Sequence, residues 1–263
     1  MSFAYRAVIV DLDRTLLRSD KTVSDYTQRV LRDVSAAGAE LFVATARPER
    51  AIAEYRDLLG FSSVTTLNGA RTITPDGVIE NVISTESALA VLERLSRIEG
   101  AVISAEAGSG LYSNTDITIW SPIVTDRIAE LPRTQIIYKL LASHPDIPPE
   151  ELAVELPDDV YYTVADRKLI QFMSSAATKW NGIRQMLSAA GIPTESTIYF
   201  GDDLDDIEPI AKCGLGVAVA NALESVRAGA DDIAPSNDED GVAQYLEKLL
   251  REWEKALDCS KNA

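Results

Sequence analysis

The chain has 263 residues, of which 46% are hydrophobic and 25% are charged, as expected of a globular protein that buries a full core. Its formal net charge of −16 disfavours nucleic acid and anionic membranes as partners, because both repel an acidic surface. No apolar run approaches the roughly 20 residues that cross a bilayer, and the two distant cysteines, Cys213 and Cys259, do not suggest a disulfide framework. We therefore expect a cytoplasmic protein that binds neither nucleic acid nor membranes.

The first third of the chain alternates predicted strands and helices. Residues 7–10 form a short apolar run, which predicts a buried parallel strand rather than a signal peptide. The β-α-β-α-β order that follows is typical of a doubly wound parallel sheet. The predicted elements after this strand are a helix from Ser24 to Gly38, a strand at 41–44, a helix from Pro48 to Gly60 and a strand at 64–67.

The middle of the chain has a different pattern. Residues 74–77 predict the turn of a hairpin, and a helix is predicted over 86–98. Residues 101–175 predict further strands with two helices between them, and their short links favour antiparallel pairing. We interpret residues 80–175 as an inserted α+β domain.

The first pattern returns in the last third. The predicted elements are a helix at 179–190, a strand at 197–200, a helix at 205–212, a strand at 215–220 and an amphipathic helix at 242–257. The predicted fold class is α/β, with a Rossmann-like parallel core formed by residues 1–79 and 176–263 and interrupted by the insert.

Polar clusters follow the predicted strands at 7–10, 41–44 and 197–200. Open α/β sheets bind ligands at these carboxyl ends of their strands. Asp11 and Asp13 come directly after the first strand, and two carboxylates in one buried crevice favour a bound cation. Thr45 closes the second strand beside a helix N-terminus, an arrangement that suits phosphate. The simpler interpretations are turn-forming aspartates and a helix cap.

Two further features lie in the last third. Lys179 begins a helix, where the helix dipole disfavours a cation, so it indicates either a nearby anion or an exposed surface lysine. Residues 201–206 carry four acids, whose oxygens suit Mg²⁺, although acids are also favoured at a helix N-terminus. Together these features indicate a ligand site more specifically than any one of them alone. They occur in order along the chain, and all fall at the edge of one sheet where ligands are expected to bind.

With these features the sequence resembles the haloacid dehalogenase-like (HAD) phosphatase superfamily and, within it, the Cof-type hydrolases. An insert between the second and third motifs is where these enzymes carry a large α+β cap that selects the substrate. The four motifs correspond to residues 10–17, Thr45 with Arg47, Lys179, and residues 201–206, and two Cof-like stretches are residues 67–70 and 236–243.

The resemblance implies a mechanism. Mg²⁺ would be bound by Asp11, the main-chain carbonyl of Asp13 and Asp202, with Asp206 holding a ligand water. Asp11 would attack phosphorus, and Asp13 would act as general acid and then as base, its protonated form favoured by nearby negative charge. The expected phosphate-binding residues are Thr45, Ala46 and Lys179, and further candidates near the substrate or behind the ligands are Arg14, Arg47, Asn68, Asp203 and Asp205.

Three residues depart from the family pattern. Arg14 and Ala46 stand where glycine is usual, and Asp205 replaces the usual asparagine. Arg14 adds a charge that would help a second anionic group or partly block the mouth of the site, and Asp205 would add negative charge near the metal. None of the three removes a group that the chemistry requires.

Several alternatives remain open at the level of sequence. A phosphosugar mutase or phosphotransferase would use the same nucleophile, and a catalytically weak protein would only bind a phosphometabolite. A signalling receiver also uses a strand-end aspartate, but it needs about half this length. The expected partner is a small phosphorylated metabolite such as a sugar phosphate or a phosphorylated cofactor, and the expected state is a monomer or a weak homo-oligomer.

Overall fold

The computed structural model describes residues 3–153, 155–165 and 168–261, without the side chains of residues 257–261, so that of Cys259 lies outside the described part. The strands are β1 (Ala7–Val10), β2 (Glu40–Ala44), β3 (Ser63–Thr66), β4 (Arg71–Thr74), β5 (Gly77–Glu80), β6 (Val102–Ala107), β7 (Gly110–Ser113), β8 (Ile123–Val124), β9 (Ile137–Ser143), β10 (Val160–Ala165), β11 (Leu169–Ser174), β12 (Thr197–Gly201), β13 (Leu215–Val219) and β14 (Asp232–Ala234). The α-helices are α1 (Asp25–Ala36), α2 (Ala53–Leu59), α3 (Thr85–Leu95), α4 (Lys179–Ala190), α5 (Ile207–Lys212), α6 (Glu224–Gly229) and α7 (Gly241–Lys261).

The chain folds into two compact units. The larger unit combines the residues up to Ile79 with those from Thr178 onward, and the smaller unit is Glu80–Ala177. In the portion of the chain that the structure describes, no helix is both long enough and apolar enough to cross a membrane.

The larger unit is built on an eight-stranded sheet in the order β14-β13-β12-β1-β2-β3-β4-β5. Every pairing from β14 to β3 is parallel, and β4 joins β3 antiparallel. The central strands are buried except for Glu40 at the start of β2, as the short apolar runs in the sequence predict. The predicted doubly wound α/β fold is therefore confirmed.

Local signals explain where the helices of this unit begin and end. The Ser24 side chain caps α1 by accepting a hydrogen bond from the Thr27 amide at 3.0 Å. Gly60 and Gly191 end α2 and α4 in the left-handed conformation, which glycine adopts without a steric penalty. Helix α1 packs against both α2 and α7, and α5 packs against both α4 and α6.

The smaller unit contains a six-stranded sheet in the order β10-β11-β9-β6-β7-β8. Its main pairings are antiparallel, and it shares an apolar core with α3. The prediction of two further helices within residues 101–175 was wrong: the described residues there form two short 3₁₀ turns, Ile128–Arg133 and Pro149–Leu152. Pro132 lies inside the first of these turns and lacks the N–H that a longer helix needs.

Candidate active site

The polar residues that follow β1, β2 and β12 come together because these strands are neighbours. Val10 pairs with Val43 in β2 and with Phe200 in β12. The amide of Asp11 continues this ladder and donates to the carbonyl of Phe200 at 3.0 Å. Asp11, Thr45 and Asp202 therefore all lie at the carboxyl edge of the central sheet.

Three buried carboxylates form the centre of the site. Asp11, Asp202 and Asp206 each place a carboxylate oxygen within 4.8 Å of the others, and their residues are between 0 and 5% exposed. The ammonium group of Lys179 lies among them, donating to Asp11 Oδ1 at 2.9 Å and to Asp206 Oδ1 at 2.7 Å. The anion expected beside Lys179 is thus a pair of aspartates.

A close approach of two backbone segments positions Lys179. Thr178 caps α4 through its side chain, which accepts from the amide of Asn181. Gly69 has a φ of 96°, and a Cβ at this position would overlap the Thr178 carbonyl. Only glycine lets the turn after β3 pack this tightly against the start of α4.

Asp206 organises the acidic side of the site. Its Oδ1 accepts from Lys179 and, at 2.5 Å, from the Tyr199 hydroxyl, while its Oδ2 accepts from the amides of Asp202 and Asp203 at 2.9 and 3.1 Å. Gly201 leaves room for this carboxylate, since a Cβ there would lie 2.5 Å from Asp206 Cγ. Four donors fix Asp206 against the loop that carries Asp202.

The electrostatics of the centre reflect an excess of negative charge. Burial, together with the charges of Asp206 and Asp202, raises the pKa of Asp11 well above its usual range despite the opposing effect of Lys179. Burial and the Asp206 charge raise the pKa of Asp202 to about 6. Burial alone would lower the pKa of Lys179, but the charges of Asp11 and Asp206 raise it. With all three carboxylates ionised, the single ammonium would leave two negative charges, which a divalent cation would balance.

The side chain of Asp13 has cationic neighbours instead. Arg47 donates to both of its oxygens, at 2.6 and 2.7 Å, and Lys21 donates to Oδ1 at 2.7 Å. Burial would raise the pKa of Asp13, but these hydrogen bonds and charges lower it to about 2. The expectation that nearby negative charge favours protonated Asp13 was therefore wrong, because the acidic groups lie around Asp11.

Two predicted phosphate-binding residues follow β2. Thr45 is buried, and its hydroxyl oxygen accepts from the Arg47 amide at 3.2 Å. Ala46 is exposed, so replacing the usual glycine does not crowd the protein interior. The Arg47 guanidinium also lies over the Tyr55 ring, 5.5 Å from its centroid. The turn thus directs one hydroxyl inward and one guanidinium toward Asp13.

The remaining acids of the fourth motif lie outside the buried group. Asp203 is exposed, and its side chain caps a short 3₁₀ turn through the Leu204 amide at 2.7 Å. Asp205 accepts a hydrogen bond from the side-chain amide of Asn68, which has a left-handed φ of 57°. Asp205 therefore joins two loops and is not a member of the acidic group at the centre.

Three residues of the site were missed by sequence reasoning. Thr15 donates to Asp202 Oδ1 at 2.9 Å, Tyr199 donates to Asp206, and Lys21 donates to Asp13. Thr15 lies within the first motif, and Tyr199 precedes the acidic loop by only a few residues, so proximity in sequence could have indicated both. No pattern marks Lys21, which lies in a loop with a φ of 67°.

The Cof-like stretch before the last helix holds the loop that follows β1. Asn237 donates to the Leu17 carbonyl at 2.9 Å. Asp240 accepts from Arg18 through both of its oxygens, at 3.0 and 2.5 Å. Residues 236–243 thus hold in place the loop that carries Lys21.

Comparison with known proteins agrees with this geometry. The sequence model of a family described as haloacid dehalogenase-like hydrolase matches residues 8–246, so the chain belongs to that family and the predicted resemblance is confirmed. A curated relative, the 5-amino-6-(5-phospho-D-ribitylamino)uracil phosphatase YitU of Bacillus subtilis, is 24% identical over 92% of this chain and 97% of its own. At the level of enzyme class, the prediction of a phosphatase is confirmed.

Solved structures show the same fold. The TM0651 protein of Thermotoga maritima has a TM-score of 0.82 and 24% identity, covering 93% of this chain and 97% of its own. The HAD-superfamily phosphatase BT1666 of Bacteroides thetaiotaomicron has a TM-score of 0.81 and 22% identity, covering 93% and 95%.

Proposed function

We propose that the protein is a Mg²⁺-dependent phosphatase of small phosphorylated metabolites that works through an aspartyl-phosphate on Asp11. The observation that carries the proposal is the buried Asp11 carboxylate at the edge of the sheet, in contact with Lys179 and close to two further carboxylates. A nucleophile, a cation for the phosphoryl group and a set of metal ligands thus occupy one site.

The charge and the chemistry of the centre suit a hard divalent cation. Carboxylate oxygens are the ligands that Mg²⁺ prefers, and the ion would offset the two uncompensated charges. Asp11, Asp202 and the main-chain carbonyl of Asp13 would hold it directly. Asp206 already accepts four hydrogen bonds, so it would act through a water. The bound ion would neutralise charge on the phosphoryl oxygens.

The reaction proceeds in two displacements. In the first, an oxygen of Asp11 bonds to phosphorus, the ester P–O bond breaks, and the leaving alcohol takes a proton from Asp13. In the second, Asp13 accepts a proton from water as the water oxygen bonds to phosphorus. The bond between phosphorus and the Asp11 oxygen breaks, which releases phosphate and restores the Asp11 carboxylate. Lys179 and Thr45 hold the phosphoryl oxygens as their charge increases.

The two cations on Asp13 keep it ionised and lower its basicity, so they hold it away from both the acid role and the base role. The acid role requires a proton on the same group. An anionic substrate attracts Lys21 and Arg47 as well, so its arrival is expected to weaken their hold on Asp13.

The proposed substrate class rests on the name of a curated relative and on the division of the chain into two units. YitU is named for a small phosphorylated metabolite, and the smaller unit, Glu80–Ala177, is proposed as the cap that selects the substrate. The net charge of −16 makes cations near the site necessary for any phosphorylated ligand.

Phosphate release tests the proposal against its alternatives. The protein is incubated with a panel of phosphorylated metabolites, with Mg²⁺ or with EDTA, and without an acceptor alcohol. Release that requires Mg²⁺ supports a phosphatase. Transfer that occurs only when an alcohol is added would identify a mutase or phosphotransferase, and binding without turnover would identify a weakly active binding protein.

A further inference from the structure

Arg14 directly follows Asp13, and its guanidinium is loosely held. The side chain is 60% exposed, and its Nε lies 3.8 Å from Asp202 Oδ2, which is beyond hydrogen-bond distance. Among the residues that the structure describes, no closer polar partner is found for this side chain. Its planar set of donors is therefore available to a ligand.

The backbone of Arg14 adopts a conformation that favours glycine. Its φ is 60°, in the left-handed region where a Cβ crowds the following carbonyl. Asn221 supports this conformation by donating to the Arg14 carbonyl at 2.7 Å. A long side chain in a strained position beside catalytic groups points to a use for that side chain.

The other cations near Asp13 are already engaged. Arg47 donates to both oxygens of this carboxylate, and Lys21 donates to one of them. Lys179 is buried against Asp11 and Asp206, where it serves the transferred phosphoryl group. Arg14 is the exposed cation of this group whose donors make no short ion pair, and it lies on the Asp202 side of the site.

We propose that Arg14 binds a second anionic group of the substrate, which is then a phosphomonoester that also bears a carboxylate or a second phosphate. A guanidinium recognises either group through two parallel hydrogen bonds. This inference rests on the proposed function, because it assumes that the transferred phosphoryl group lies at Asp11. It narrows the proposed substrate to phosphomonoesters that carry a second anionic group.

The test compares matched substrates that differ in one anionic group. One pair is a phosphoglycerate against glycerol phosphate, and another is a hexose bisphosphate against the corresponding monophosphate; the two pairs separate a carboxylate from a phosphate. We expect wild-type kcat/KM to favour the doubly anionic member of at least one pair by about tenfold, as a good charge-assisted contact would give. Arg14→Gln should abolish this preference, because it lowers kcat/KM for the doubly anionic member of the pair far more than for p-nitrophenyl phosphate.

Two further variants complete the design. Arg14→Gly accepts the backbone conformation without strain, so a loss of preference in it cannot be attributed to misfolding. Arg29→Gln is a matched control: the Arg29 side chain is 58% exposed, and its ion pair with Glu247 is similarly long, at 3.6 Å. The control should keep the full preference.

Three results would overturn the inference: a preference that persists in Arg14→Gln, a wild type without any preference, or an equal loss on every substrate. The last result would assign Arg14 to the transferred phosphoryl group. Failure of the proposed function itself is separate, since it would appear as p-nitrophenyl phosphate hydrolysis that survives in Asp11→Asn.

Discussion

Lys179 Nζ lies 2.9 Å from Asp11 Oδ1, and both side chains are at least 93% buried. Removing the ammonium leaves Asp11 without a cationic partner in a medium that solvates charge poorly, and removing the Asp11 charge leaves Lys179 with Asp206 alone. The pair links the third motif to the first, so the stability of the site depends on the same groups as the chemistry proposed for it.

Replacing Lys179 by methionine removes the ammonium and keeps most of the side-chain volume. Because Asp11 and Asp206 lose their partner, we expect the free energy of unfolding without Mg²⁺ to fall by about 3–5 kcal/mol. Added Mg²⁺ should restore part of it, since an ion that binds only the folded state stabilises that state. Urea unfolding with and without Mg²⁺ measures both effects.

The matched control is Lys212→Met, which removes an exposed ion pair with Glu208 on α5. We expect it to cost less than about 1 kcal/mol. If Lys179→Met kept wild-type stability and wild-type activity, the phosphate-binding lysine would have to lie elsewhere in the chain.

The pattern of the sequence predicted the sheet and the position of most candidate site residues at its edge, because both depend on local features. Apolar runs of four or five residues gave the buried strands, and the cap at Ser24 and the glycine at Gly60 gave helix ends. Asp11 and Asp202 could be placed together because parallel strands end at one edge.

The partners of Asp13 could not be predicted in the same way. Arg47 is 34 residues away along the chain, and Lys21 reaches Asp13 from a loop with a φ of 67°. Loop conformation depends on distant contacts such as that of Asp240 with Arg18, which no periodicity encodes. For this reason the sequence predicted negative charge around Asp13, where the structure has the two cations Lys21 and Arg47.

The ion pairs of Asp13 should appear in the pH dependence of stability. Its folded-state pKa of about 2 lies below the unfolded value of about 3.9, so it stabilises the fold above about pH 4 and loses this contribution as the pH falls toward 2. The difference in unfolding free energy between wild type and Asp13→Asn should therefore shrink across that window. Because the side chain is 38% exposed, solvent screening will keep the difference modest.

Chemical unfolding at several pH values from about 6 to about 2 measures this difference across the window. Asp57→Asn, at an exposed position on α2, provides the comparison. A difference for Asp13→Asn that stays constant or grows as the pH falls would contradict the assigned ion pairs.

Gly201 offers a geometric test of the acidic centre. A methyl group there would meet Asp206 Cγ at 2.5 Å, so Gly201→Ala should displace the carboxylate that aligns Lys179 and Asp202. We expect a loss of about 1–3 kcal/mol in stability and a large fall in kcat. Gly229→Ala is the control, since nothing lies within 4 Å of a Cβ at that position. Equal kcat values for the two variants would show that the position of Asp206 does not matter.

The central claim is that Asp11 is the nucleophile, and the Asp11→Asn variant tests it most directly. The measurement is the Mg²⁺-dependent rate of p-nitrophenyl phosphate hydrolysis, with circular dichroism to show that the fold is retained. An amide removes the attacking carboxylate, and we predict a fall of at least about 10³-fold in kcat. Wild-type turnover by a folded Asp11→Asn protein would contradict the account.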